Sequence, residues 1–453
     1  MGVHHQIEGS AKVQWISRRS WSVIVFAIVS IVFIESPVMQ TYDSKYCFLV
    51  DDALLMHHSV DLSKYRIPGF SIEMLGSDRE AYKSIEFYQL TRIGNRVLYL
   101  YPYGSSILSL PFVAAMREAG TSVAPHGDYS FAVEAAMQLT FASLLMGLLA
   151  CVLLAAAETM LPVAWSIAVA LGASFGTQIW SSASRALWSH TWEILITGLV
   201  ILALLNHAVC GRRLRPVWIA TLVSWAFYVR PTGAFEVVAI SVYFWIYCRR
   251  DFLAFAATGL FWAAAFVALS WSIFGTAIPP YYDLGYFFTR TNFLIVLAGI
   301  LISPSRGLFV FVPVLAFVIW LTARYWRSLP CRPLAALAIA IISSNLLVIT
   351  MDYRWWGGHS YGPRLETDLV PWFALLAILG IRALLNDTLR SRIAIPVACI
   401  LLAASVGING WGAISAAPYL WTASPNNIDE HPERIWDWKS PQFLAGLVVD
   451  PRR

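Results

Sequence analysis

The chain has 453 residues, 58% of them hydrophobic and only 13% charged, with a mean hydropathy of +0.62. That balance excludes an ordinary soluble domain and points to a polytopic membrane protein. The net charge of +5 is carried by basic residues set in pairs between apolar runs, which gives no support to nucleic-acid binding. The six cysteines lack the spacings of a zinc site or a disulfide framework.

Arg18 and Arg19 precede an apolar run over residues 21–34, and no small-residue cleavage site follows it. The run therefore reads as a retained first helix that leaves the cytoplasm. The next stretch, about 36–98, is polar and mixed in charge, with Asp43, Asp51, Asp52, Asp61, Asp78, Arg79 and Glu80. It is expected to form a long first external loop with its own small helices. Tyr46, Leu49, Val50, Ala53, Leu54 and His57 recur at helical spacing with Asp51 and Asp52 off the stripe, which predicts an amphipathic helix on the membrane surface. His57, His58 and Asp61 lack the ligand spacing of a metal site.

Apolar runs then recur from 131–157 to 393–411, separated by arginine clusters at 212–215, 249–250, 324–327 and 390–392 that mark cytoplasmic turns. These runs predict an all-α integral membrane domain over residues 1–411, with about 11 to 13 crossings and an external tail over 412–453. Two segments do not fit the count. Residues 101–116 have the length of a short span but would reverse the parity that the arginines demand, and residues 292–302 are too short to cross. No internal repeat is visible.

On this topology the outward loops carry Arg185 with His190, Arg230, Tyr281-Tyr282-Asp283, Ser303-Pro-Ser-Arg306 and the loop at 353–364. Arg185 and His190, flanking Trp188, read as interface anchors, and Arg230 before Pro231 reads as a helix-end arginine that satisfies backbone carbonyls. The 353–364 loop holds Arg354, Trp355, Trp356, Gly357, Gly358, His359, Tyr361, Gly362 and Arg364. An irregular backbone with two arginines cannot face hydrocarbon, so this loop must line water or a protein cavity. Its arginine forks suit a phosphate, its tryptophans suit sugar rings or an interfacial belt, and its glycines permit close approach. No serine–histidine–acid spacing and no phosphate-cradling glycine loop accompanies it. What remains is an acid near the membrane surface facing cations, which suits transfer from a lipid-anchored phosphate. A carboxylate takes the proton of an attacking hydroxyl while the cations hold the leaving phosphate.

The first helix, the acid opening the external loop, Tyr-Pro-Tyr-Gly-Ser-Ser-Ile-Leu-Ser-Leu-Pro at 101–111, Ser-Pro-Ser-Arg-Gly-Leu-Phe-Val-Phe at 303–311 and Trp-Trp-Gly-Gly-His-Ser-Tyr-Gly-Pro-Arg at 355–364 resemble the GT-C superfamily. The chain is most similar in pattern to bacterial membrane glycosyltransferases related to protein O-mannosyltransferases and lipid A aminoarabinose transferases. The resemblance runs through most of residues 20–411. It implies an inverting transfer of a sugar from a polyprenyl-phosphate carrier to a hydroxyl of a glycan, lipid or protein acceptor, on the outward face of a bacterial inner membrane. It also implies that Asp43, in Tyr42-Asp43-Ser44-Lys45-Tyr46, is the catalytic base, a position where it could equally cap the following helix. Asp51 and Asp52 are the secondary acidic candidates. Arg364 and Arg306 are expected to bind the donor phosphate, with ion pairing to Glu366, Asp368 or Asp283 as the alternative. Tyr101, Tyr103, Trp355, Trp356, His359 and Tyr361 are expected in the sugar or acceptor pocket. Some members use a divalent metal such as Mg²⁺ or Mn²⁺; Ser44 stands where many carry a second acid, which leaves a carboxylate pair there without its second member. Two other readings share much of this composition: a transporter or flippase of lipid-linked sugars, and a non-catalytic membrane assembly protein.

Overall fold

In the computed structural model, which describes residues 20–75, 87–283 and 292–448, the apolar runs form helices. They must, because backbone polar groups in hydrocarbon have to pair within their own segment. In chain order the helices are α1 (Ser20–Glu35), α2 (Cys47–His57), α3 (Gly104–Glu118), α4 (Phe131–Ala157), α5 (Val163–Phe175), α6 (Ser189–Cys210), α7 (Pro216–Val229) and α8 (Gly233–Tyr247). They continue with α9 (Arg249–Phe274), α10 (Phe293–Ile302), α11 (Leu308–Phe311), α12 (Val314–Arg324), α13 (Arg332–Ile349), α14 (Val370–Leu384), α15 (Thr388–Ile414) and α16 (Ala417–Leu420). Among the described residues six helices are long and apolar enough to cross a bilayer: α4, α6, α9, α13, α15, and α14 with its preceding turn. A further six, α1, α5, α7, α8, α10 and α12, are apolar but shorter. The architecture is that of an all-α multi-pass membrane protein. Arg18, Arg19, Asp78, Arg79 and Glu80 lie outside the described residues.

The segment at 101–116 is not among these apolar helices. Most of it forms α3, which packs on α2 and α7. The stretch between α2 and α3 holds a feature that hydropathy does not announce, an antiparallel hairpin of β1 (Leu90–Ile93) and β2 (Arg96–Tyr99), the only sheet among the described residues. Gly94 and Asn95 form its two-residue turn, Gly94 at φ 60°, the conformation such a turn demands. The hairpin ends in Tyr99, whose hydroxyl donates to the Asp43 backbone carbonyl at 2.6 Å.

The expected surface helix is corrected. In α2 every residue from Cys47 to Ala53 is buried, including Asp51 and Asp52, against α3, α4 and the stretch that follows α2, while the last turn, Met56 and His57, is exposed. Asp43 does not cap it either. Tyr46 stands at the cap position in the left-handed region, and the fully buried Glu134 of α4 accepts the Tyr46 and Phe48 amides at 3.0 and 2.8 Å. The Tyr129 hydroxyl and the Gln138 amide also donate to Glu134, at 2.5 and 3.1 Å. Four donors converge on one carboxylate, so Glu134→Gln turns an amide donor toward donors. The variant is expected to lose about 1–3 kcal/mol of stability, read as a lowered melting temperature in detergent.

Candidate functional site

Asp43 sits on the short connection between α1 and α2, and three attachments fix it there. Besides the Tyr99 bond, the Tyr88 hydroxyl donates to Asp43 Oδ1 at 3.0 Å, and Gln138 Nε2 donates to the neighbouring Ser44 carbonyl at 2.8 Å. Burial, and next the adjacent Asp43 carboxylate, hold the Tyr88 phenol above its ordinary range, so it remains a donor. Gln138 Oε1 also accepts the Leu187 amide at 3.2 Å, which ties the Asp43 segment to the loop carrying Trp188.

Arg364 arrives from the far end of the chain. Its Nη1 donates to Asp43 Oδ2 at 2.9 Å, and its guanidinium lies 4.2 Å from the centre of the Trp188 ring. The pair is mostly covered, with side-chain exposures of 12% for Arg364 and 26% for Asp43. Both line a cavity of about 1200 Å³ together with Tyr88, Tyr101, Arg230, Tyr281, Asp352, Arg354 and His359. One wall is apolar, formed by Ala234 and Phe235 of α8 and Val348 and Ile349 of α13. Asn427, Asp429 and Glu430 of the tail complete the lining. Segments from Tyr42 to Glu430 thus converge on one chamber whose lining carries both carboxylates and arginines.

Arg230 is not a helix-end arginine serving carbonyls. Its Nε donates to Asp368 Oδ2 at 2.6 Å and its Nη1 to Ser189 Oγ at 2.9 Å, with Glu193 3.4 Å away. His190 is not an interface anchor, since its Nδ1 lies 2.6 Å from Asp368 Oδ1. Thr232 donates to Asp368 and Glu193, and one turn deeper Thr197 and Trp372 donate to Glu236. This network stands directly behind the cavity and holds Arg230 at its wall. Arg185 is likewise buried, donating to the Phe33 and Ser36 carbonyls at the end of α1.

The remaining expected site residues separate into two groups. Tyr101 and His359 line the cavity. Trp355 and Trp356 are buried with Trp421, Ile428 and Ile435 under the tail, Tyr361 packs on Phe311 with its hydroxyl on the Ile408 carbonyl, and Tyr103 packs on Tyr99 and Phe274; none of these lines the cavity. Arg306 does not line it either. It is 2% exposed and donates to the Trp356, Ser305 and Gly358 carbonyls and to Gln442 Oε1. An arginine with each nitrogen so engaged braces the 353–364 loop and has no fork left for a phosphate. Gln442 completes the brace, donating to the Ser360 and Pro418 carbonyls and accepting the Gly362 amide. Gly362 itself is required, at φ 60° with a Cβ that would lie 2.6 Å from the Phe311 ring.

Asp51 and Asp52 are also absent from the cavity wall. Asp52 pairs with Arg117 at 2.6 Å and accepts the Tyr65 hydroxyl at 2.8 Å. Both Asp51 oxygens are buried without a hydrogen-bond partner, and burial, then the Glu134 and Asp52 charges, push its carboxyl well above the usual range. Asp52 is thus occupied in holding α2 to α3. As for a metal, no three His, Cys, Asp or Glu side chains converge among the described residues, and the cavity carboxylates Asp43, Asp352, Asp429 and Glu430 share it with Arg230, Arg354 and Arg364.

Comparison of the chain with protein-family models and with curated proteins finds no match.

Proposed function

We propose that the chain is an inverting glycosyltransferase of the GT-C type that moves a sugar from a polyprenyl-phosphate carrier to an acceptor hydroxyl, with the cavity facing outward. The observation that carries this reading is the meeting of Asp43 and Arg364, 321 residues apart in sequence, in one chamber with an apolar wall and a second arginine. In the proposed step the acceptor O–H gives its proton to the Asp43 carboxylate as its oxygen bonds the anomeric carbon. The bond from that carbon to the phosphate oxygen breaks on the opposite face, and the phosphate leaves with both electrons into the field of Arg364 and Arg230. The apolar wall of α8 and α13 suits the prenyl chain. Arg306 is assigned to bracing the loop rather than to the donor, and no metal enters the step.

Purified protein incubated with a panel of polyprenyl-phosphate sugars is expected to release free carrier phosphate, with EDTA leaving the rate unchanged. Arg364→Ala is expected to weaken a polyprenyl-phosphate analogue by about 10- to 100-fold, the worth of a charge-assisted pair. Equal affinity in that variant would remove Arg364 from the donor site. One observation favours a second reading. Glu193 and Glu236 are buried inside the bundle, each with one oxygen lacking a hydrogen bond, as in carriers that move protons. Proton-dependent movement of a labelled lipid-linked sugar across vesicles, without carrier release, would favour the transporter.

A further inference from the structure

Besides Asp43 the cavity is lined by the carboxylates Asp352, Asp429 and Glu430, none of which the proposed step uses, and Asp352 is the one at the end of α13. Asp352 follows the last turn of α13, its amide on the Ile349 carbonyl at 3.1 Å. Its Oδ1 accepts the Arg354 amide at 2.8 Å, which fixes the direction of the side chain. Among the described residues Oδ2 has neither a hydrogen-bond nor an ion-pair partner, although the same cavity contains Arg230, Arg354 and Arg364. Asp43 offers no such free oxygen, since Arg364 and Tyr88 occupy both of its own. Beside Asp352 the wall is aromatic: Tyr101 and Tyr281 lie with ring centres 4.8 Å apart, and Tyr353 is 45% exposed.

An anionic oxygen repels a phosphate but accepts strongly from hydroxyl groups, and aromatic faces take the C–H faces of a sugar ring. Carboxylate and aromatic wall therefore describe a place for a polyhydroxylated ring, next to the cations that suit its phosphate. Resting on the reading of the chain as a transferase with a polyprenyl-phosphate donor, we infer that Asp352 is the specificity-determining residue for the donor sugar, its Oδ2 accepting hydrogen bonds from the sugar's hydroxyls. Burial raises the Asp352 carboxyl above its ordinary range, and the Arg354 amide and the Arg354, Arg230 and Arg364 charges offset that only in part. Tyr281, whose phenol burial raises to about 12, stays a neutral donor within the electrostatic reach of Asp43, Asp352, Arg230 and Arg364.

The test measures binding of farnesyl phosphate, and of farnesyl phosphate carrying mannose, galactose, glucose or arabinose, to the parent protein and to Asp352→Asn. The variant is expected to hold farnesyl phosphate within about twofold of the parent and to bind the preferred sugar-bearing probe about 10- to 100-fold more weakly, the scale of hydrogen bonds to a charged acceptor. Retained farnesyl phosphate affinity also reports an intact fold. If the parent does not bind farnesyl phosphate, the donor class is wrong and this assignment falls with it. If the parent binds farnesyl phosphate but Asp352→Asn weakens neither probe, or weakens both equally, the donor class stands and the assignment is overturned. Lost turnover with unchanged sugar-probe affinity overturns it too, and moves Asp352 to proton transfer.

Discussion

Asp43→Asn is expected to lower carrier release by about 10²- to 10⁴-fold, the usual contribution of a positioned base, while the protein still inserts and melts close to the parent. Asparagine keeps the size of the side chain, but its single acceptor oxygen can keep only one of the bonds from Arg364 and Tyr88, which meet at the two separate Asp43 oxygens. What it loses is the capacity to take a proton. The effect should fall on kcat rather than on donor affinity, because the donor is held by the arginines. Single-turnover release measured beside analogue binding separates the two. A fully active variant would show that the acid at the end of α1 holds Arg364 in place and nothing more.

The second large effect lies in the membrane. Asp368 accepts from His190, Arg230 and Thr232; Asp368 and His190 are buried, while Arg230 and Thr232 are partly buried at the cavity lining. Removing its charge leaves the Arg230 guanidinium with Ser189 and, as its one carboxylate among the described residues, Glu193 at 3.4 Å. Asp368→Asn is therefore expected to cost about 3–5 kcal/mol, the penalty of breaking a buried pair from one side. The informative comparison is the double variant. Asp368→Asn with Arg230→Met removes the stranded charge and should melt higher than Asp368→Asn alone, although neither is expected to transfer sugar. A double variant that melts lower than the single one would mean that Arg230 contributes packing or bonds beyond this pair.

The membrane character and the helical architecture were legible in the apolar runs, and the motifs drew attention to Asp43 and Arg364. Hydropathy reads burial in lipid, but it cannot tell lipid from protein. That is why the helix carrying Asp51 and Asp52 was placed on the membrane surface. With α3, α4 and the stretch that follows α2 covering it from Cys47 to Ala53, its two aspartates have no solvent face to show. The same blindness hid the role of Trp355 and Trp356, which fill a core made by the tail and not an aromatic belt. Arg230 was misread because its partner Asp368 lies 138 residues away, and no local pattern links them. The hairpin had a local signal in Gly94-Asn95, between two short runs of strand-forming residues, that a reading at the scale of membrane spans passes over. Asp352 carried no signal at all, since a lone aspartate at a helix end is ordinary until the chamber around it is seen.

The brace through Gln442 has a consequence for the order of events during synthesis. Every apolar helix has been made by residue 414, yet Arg306 and the glycine-rich loop reach their final bonds only when Gln442 arrives. A nascent chain halted between those two points would be fully inserted but could not yet grip a substrate. Closure of the loop would then come late and abruptly, with the last segment, and would not grow helix by helix.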